Sequence, residues 1–293
     1  MTRADENSMY STSQLLNFES DSYLERTSRP VYAIMFLLPF IVFYEVGTLL
    51  MNTDVLNQSQ VRVVAFVWLQ EFLGYLGYNG KLAWVAPPLV VIVILLGLQL
   101  ASRKRWSFGW RDVWPMGPMW VECILLAIPL IVLSLFVNNP DALGPADQGA
   151  ALSCSSRMPL QSGNVPHTGT LLASMVTGVG AGIYEELVFR LILICALMLF
   201  FQDLLGVEHR VSVILSILIS AGLFSAHHHY VFLDGQFAQS PDNQFTWTAF
   251  GFRATAGVYF AGLFAVRGFG IAVGTHVFYD IMATALNALF FHP

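Results

Sequence analysis

Gly182-Ile183-Tyr184-Glu185-Glu186-Leu187-Val188-Phe189-Arg190 sets two adjacent carboxylates and a guanidinium inside an apolar stretch, and a further dozen mostly apolar residues follow. An ionisable side chain at bilayer depth costs from about 2.5 to well over 10 kcal/mol, so it normally faces a polar cavity and marks a functional site. Three such groups fall between Glu185 and Arg190. The stretch is a membrane helix with chemistry in it.

The rest of the chain agrees. Hydrophobic residues make up 56% of the 293 and charged residues 11%, and the mean hydropathy is +0.61, values of an integral membrane protein. The net charge of −5 includes no basic stripe able to track phosphates, which argues against a nucleic-acid partner. Cys123 and Cys195 lie in apolar runs and Cys154 in a polar loop, so the three form no disulfide framework and act in packing.

Apolar runs of spanning length, about 20 residues, occur at Val31 to Met51, Leu82 to Ala101, Gly117 to Val137, Thr170 to Phe201, Val211 to Val231, Trp247 to Val266 and Ile271 to Phe291. Val63 to Tyr78 is interrupted by Gln70 and Glu71 and suits a segment lying in the interface. The fold class is therefore all-α, a polytopic transmembrane bundle of seven helices, or eight if that segment crosses. Residues 1–30 form a polar tail without the pattern of a cleavable signal peptide, 31–167 a first group of membrane helices, and 168–293 the part that carries the chemistry. Ser102-Arg103-Lys104-Arg105-Trp106 with Arg111, and Arg26 with Arg29, put the N-terminus on the cytoplasmic side. The loop Asn138 to His167 and the stretch Asp234 to Asn243 then lie outside.

Three clusters stand out. Glu185 and Glu186 are about 100° apart on a helix, while Arg190, four residues beyond Glu186, stacks over it. One carboxylate is thus charge-paired and the other free to exchange a proton with water; the plain alternative is an internal ion pair. The second is Phe224-Ser225-Ala226-His227-His228-His229, of which one or two imidazoles reach any one cavity. The third is His276-Val277-Phe278-Tyr279-Asp280, whose i, i+4 spacing puts His276 and Asp280 on one face, for orienting an imidazole or for joining two helices. Glu45, Glu122 and Arg253 suit polar contacts between helices, and Arg253 is also placed to reach a substrate carboxylate or Glu185.

Glu-Glu-x-x-x-Arg at Glu185, Glu186 and Arg190, Phe-x-x-x-His at Phe224 and His228, and His-x-x-x-Asp at His276 and Asp280 together resemble the CAAX-processing and bacteriocin-immunity family of intramembrane glutamic endopeptidases. The resemblance covers about Thr170 to Phe291 and implies a helical bundle with a catalytic cavity among its later helices. It implies that Glu185 activates the attacking water with help from His228, that Glu186 and Arg190 hold the site, and that His276 and Asp280 face the oxyanion. Neither a cofactor nor a metal is expected. The expected partners are the bilayer, that of the plasma membrane, and a membrane-associated peptide or protein. In eukaryotic relatives of this family the substrate is a C-terminal prenylated Cys motif. Oligomeric state has no sequence signal.

Two departures are visible. The last family position is often Asn, a hydrogen-bond donor, whereas an ionised Asp280 only accepts; it is either protonated or orients His276. His227 also competes with His228 for the histidine role. Simple parity, moreover, puts His228 and His276 roughly 15 Å apart on untilted helices. A metal-dependent protease is a rival, weakened by the lack of His-Glu-x-x-His. A proton-coupled transporter and a non-enzymatic scaffold or immunity protein are the rivals from other classes.

Overall fold

The computed structural model describes residues 22–50, 64–75, 77, 82–101, 114–137, 167–233, 236–239 and 245–290. Its elements are α1 (Tyr23–Thr27), α2 (Pro30–Leu50), α3 (Val64–Tyr75), α4 (Leu82–Ala101), α5 (Met116–Val137), α6 (His167–Glu186), α7 (Cys195–Met198), α8 (His209–His227), β1 (Tyr230–Leu233), β2 (Gln236–Gln239), α9 (Trp247–Arg267) and α10 (Phe269–Phe290). Between α6 and Leu204 the chain never leaves the helix, because Leu187–Ile194 and Leu199–Leu204 wind as π-helix. Prolines inside α2, α4 and α5 are tolerated, since lipid offers the backbone no alternative partner to its own helix.

Among the described residues six helices are long and apolar enough to cross a membrane: α2, α5, the continuous helix from Leu171 to Leu204, α8, α9 and α10. α4 is a further apolar helix. In the interrupted segment the described helix is Val64–Tyr75, and residues 51–63 and 78–81 on either side lie outside the described residues. The fold is the expected all-α bundle; β1 and β2 add a small antiparallel hairpin in the register Tyr230 to Gln239. The charged loop 102–111 used for orientation, the loop 138–166 and Cys154 lie outside the described residues.

Glycine decides how closely α10 is held. Gly178 and Gly182 on α6, one turn apart, face α10: a Cβ at Gly182 would stand 2.6 Å from Val277 Cγ2, and one at Gly178 would stand 2.9 Å from Asp280 Cβ. The pairing of 178 with 280 and 182 with 277 makes the two helices antiparallel. On α10 itself Gly270 meets Ala33 and Gly274 meets Phe36 and Cys123. Membrane helices associate through such small-residue faces because close backbone approach, not water exclusion, supplies the attraction. Phe36, Phe40, Trp120 and Phe278 fill the space alongside, with Phe40 and Trp120 stacked at 4.7 Å.

The end of the polar N-terminal segment is docked. Ser22 caps α1, Tyr23 Oη donates to Glu122 Oε2 at 2.7 Å, and Arg267 donates to both Glu122 oxygens at 2.6 and 2.8 Å. The same guanidinium reaches Leu24 O at 3.2 Å and Thr27 Oγ1 at 3.1 Å. Glu122 is thus the interhelix polar contact expected of it, with Arg267 as partner. Burial first, and then the hydrogen bond to Glu122, raise the Tyr23 phenol pKa, so it stays a donor. Directly after Arg267, Gly268 at φ 83° turns the chain from α9 into α10 in a conformation that L side chains resist.

Candidate active site

Glu185 and Glu186 end the α-helical part of α6, and the π-helical winding begins at Leu187. Such widened turns are frequent at functional positions. Glu186 is fully buried and held from two sides: Arg190 Nε lies 3.1 Å from its Oε2, and His276 Nδ1 lies 2.8 Å from its Oε1. Arg190, also fully buried, donates to Gly257 O at 3.3 Å and lies over the ring of Phe224 at 4.2 Å. The i, i+4 pair expected from spacing is present, with a histidine completing it.

Glu185 faces the other way, into a ring of imidazoles. His227 Nε2 stands 3.6 Å from its Oε1, while His228 Nε2 and His276 Nε2 each stand 4.0 Å from its Oε2. His228 and His276 therefore meet one carboxylate oxygen, and the separation of roughly 15 Å expected for untilted helices does not occur. The cause is α6 and its π-helical continuation, which pack on both partners. Gly178 and Gly182 bring α10 in, while Ser220 Oγ of α8 donates to Phe189 O at 2.7 Å. His228 is not inside α8 but caps its C-terminus.

The choice between His227 and His228 dissolves, since both face Glu185. Each also directs its Nδ1 at the Phe224 carbonyl, His228 at 2.9 Å. A carbonyl only accepts, so each Nδ1 carries a hydrogen, and in the neutral ring Nε2 is left with a lone pair. With both rings neutral, two lone pairs and a carboxylate converge. The three donor atoms of Glu185, His227 and His228 lie within 4.8 Å of one another, a set able to hold a water or a cation. His229 faces Arg253, whose Nη1 lies 3.3 Å from its Nε2.

His276 stacks on Phe260 at 4.4 Å with 15° between the rings. With Nδ1 given to Glu186, its Nε2 faces Glu185 and also Asp280 Oδ2 at 3.6 Å. Orientation of the ring thus comes from Glu186 and Phe260, while Asp280 stands on the reactive side. The side chains of His228 and Asp280 are each 24% exposed, against 9% for Glu185 and 6% for His276, so the open side of the site runs between the first two. Gly257 and Phe260 carry no chemical signal in the sequence, being apolar residues in an apolar helix. The structure reveals their parts.

No curated protein and no solved structure matches this chain. Residues 167–282 match the family model described as "Type II CAAX prenyl endopeptidase Rce1-like". That match spans Glu185, Glu186, Arg190, His228, His276 and Asp280, the residues on which the similarity to the CAAX-type membrane endopeptidases rests.

Proposed function

We propose that this protein is an intramembrane endopeptidase that hydrolyses a peptide bond of a membrane-associated, C-terminally lipidated substrate with water activated by Glu185. The observation that carries the reading is the convergence of Glu185, His227 and His228, whose N and O atoms lie within 4.8 Å of one another while both Nδ1 atoms turn to the Phe224 carbonyl. A water there gives one hydrogen to Glu185 and one to an imidazole Nε2, which fixes its lone pairs toward the open side. Glu185 takes the proton as the oxygen attacks the scissile carbonyl and returns it to the leaving amine.

Charge developing on the carbonyl oxygen needs donors. His276 Nε2 and Asp280 stand on the open side, and with Nδ1 engaged by Glu186 the Nε2 faces two carboxylates. At least one proton is required among these three groups. We take Asp280 in its protonated form, donating to the oxyanion where the family often has Asn. Glu186 and Arg190 fix the ring of His276 and touch no reactant. Burial of the whole set inside apolar helices strengthens every one of these interactions relative to water.

The test compares peptide termini in membranes containing wild type or Glu185→Gln, with and without a strong chelator. Termini that vanish in the variant and survive chelation support glutamate-activated water and name the substrate. Identical termini in both would sink the proteolytic reading and leave a transporter or scaffold, and loss on chelation would replace it with metal-dependent hydrolysis.

A further inference from the structure

We propose that Glu185, His227 and His228 also form a binding site for a borderline divalent cation, Zn2+ foremost, whose occupancy displaces the attacking water and silences the site. The silencing rests on the hydrolytic reading above; the binding does not.

Three features of the geometry carry it. The first is the fixed tautomer. A metal-ligating histidine normally gives its second ring hydrogen to a carbonyl or carboxylate, which orients the ring and sharpens the free lone pair. Both His227 and His228 do this with the single carbonyl of Phe224, which leaves both Nε2 atoms free toward Glu185. The rings are also held in place: His227 lies between Phe189 and Trp68, with centroids at 4.7 and 5.9 Å, and the two imidazole centroids are 4.0 Å apart.

The second feature is charge. Arg190 is taken by Glu186, so the partners facing Glu185 are imidazoles, which carry charge only when protonated. A divalent cation satisfies that carboxylate and both lone pairs at once. The third is the ligand count. Two histidines and one carboxylate are the donor set of a three-ligand zinc site that keeps a fourth position open, at about 2.0 to 2.2 Å per bond. His228, the most exposed of the three, lies where a cation enters and is the donor with most room to draw in. His276 is excluded from the set because Glu186 and Asp280 already claim its nitrogens, and His229 because it faces Arg253.

His227 separates this site from the family's pattern. Phe-x-x-x-His specifies His228 alone, whereas the second lone pair here comes from the neighbouring position. A relative without it offers one histidine and one carboxylate at this place, too few for a tight zinc site.

The experiment uses the full chain in lipid nanodiscs, freed of any metal-binding tag. Zn2+ is measured by equilibrium dialysis, and Co2+ is added as a visible-absorbing substitute. We expect one Zn2+ per chain and an intense tetrahedral Co2+ band. Affinity should weaken at least about tenfold in each of His227→Gln, His228→Gln and Glu185→Gln, the smallest loss typical of damage to a metal site, and by less in His276→Gln. Thermal unfolding without metal identifies any variant that fails to fold, and the remaining two then decide. Absence of stoichiometric binding, or affinity unchanged in His227→Gln and Glu185→Gln, overturns the proposal. Peptide cleavage is read separately: a chain that cleaves peptide but binds no Zn2+ removes the metal site alone. One that binds Zn2+ through these residues and cleaves nothing keeps the site and removes the proteolytic reading.

Discussion

Two polar networks are buried in this bundle, and they differ in how tightly they are closed. Around Glu122 the described contacts are direct hydrogen bonds: Arg267 at 2.6 and 2.8 Å, Tyr23 at 2.7 Å, with further Arg267 hydrogens on Leu24 O and Thr27 Oγ1. Around Glu185 the imidazole partners stand back at 3.6 to 4.0 Å. The first network is closed by its own donors. The second leaves gaps between its polar atoms. A closed network joins helices, and an open one awaits a reactant, although both look alike in sequence as charges in apolar runs. Glu186, one residue away, lies between the two patterns: His276 Nδ1 meets it at 2.8 Å as a hydrogen bond, and Arg190 Nε stands 3.1 Å from it as an ion pair.

The same substitution in both networks tests that distinction most directly. Glu185→Gln is expected to lower turnover by about 10²- to 10⁴-fold, the usual contribution of a positioned general base, with thermal unfolding unchanged. Glu122→Gln is expected to do the reverse. It strands the Arg267 charge and costs about 3 to 5 kcal/mol of stability, while cleavage per folded molecule stays within a factor of a few. If Glu122→Gln abolished cleavage in a stable protein, closure would cease to be a guide to role. Tyr23→Phe removes one hydrogen bond to a charged acceptor and should cost about 1.5 to 3 kcal/mol, read as a lowered unfolding midpoint in detergent. The smallest effect is expected at Asp280. A protonated carboxyl is replaced by another neutral donor in Asp280→Asn, so cleavage should stay within a few-fold of wild type, and a hundredfold loss would show that the ionised form is needed.

Much of this was legible because charges are rare in apolar runs. Glu185, Glu186, Arg190, His228, His276 and Asp280 announce themselves by cost, and their order and spacing suggest a family. The long helices α2, α5, α8, α9 and α10 followed from run length. Three things were hidden. Two consecutive histidines point about 100° apart on a continuous helix, but α8 ends at His227 and His228 lies in its cap, so both turn toward Glu185. The closeness of His228 to His276 depends on α6 and its continuation gripping both neighbours, and that grip comes from Gly178, Gly182 and the Ser220 to Phe189 contact, none of which parity arithmetic includes. Lastly, the partner of Glu122 could not be chosen in advance. Arg267 and Tyr23 lie 145 and 99 residues away, and no periodicity links them.

The unbroken helix that carries Glu185 has a further consequence, for the lipid rather than the substrate. From Leu171 to Leu204 it runs for 34 residues, about 50 Å at full α-helical rise against roughly 30 Å of hydrocarbon. That flank of the protein is taller than its surroundings. The helix must tilt, or the bilayer thicken, at the flank that carries Glu185, so acyl-chain length is expected to act on the geometry around that carboxylate, with longer lipids relieving the mismatch.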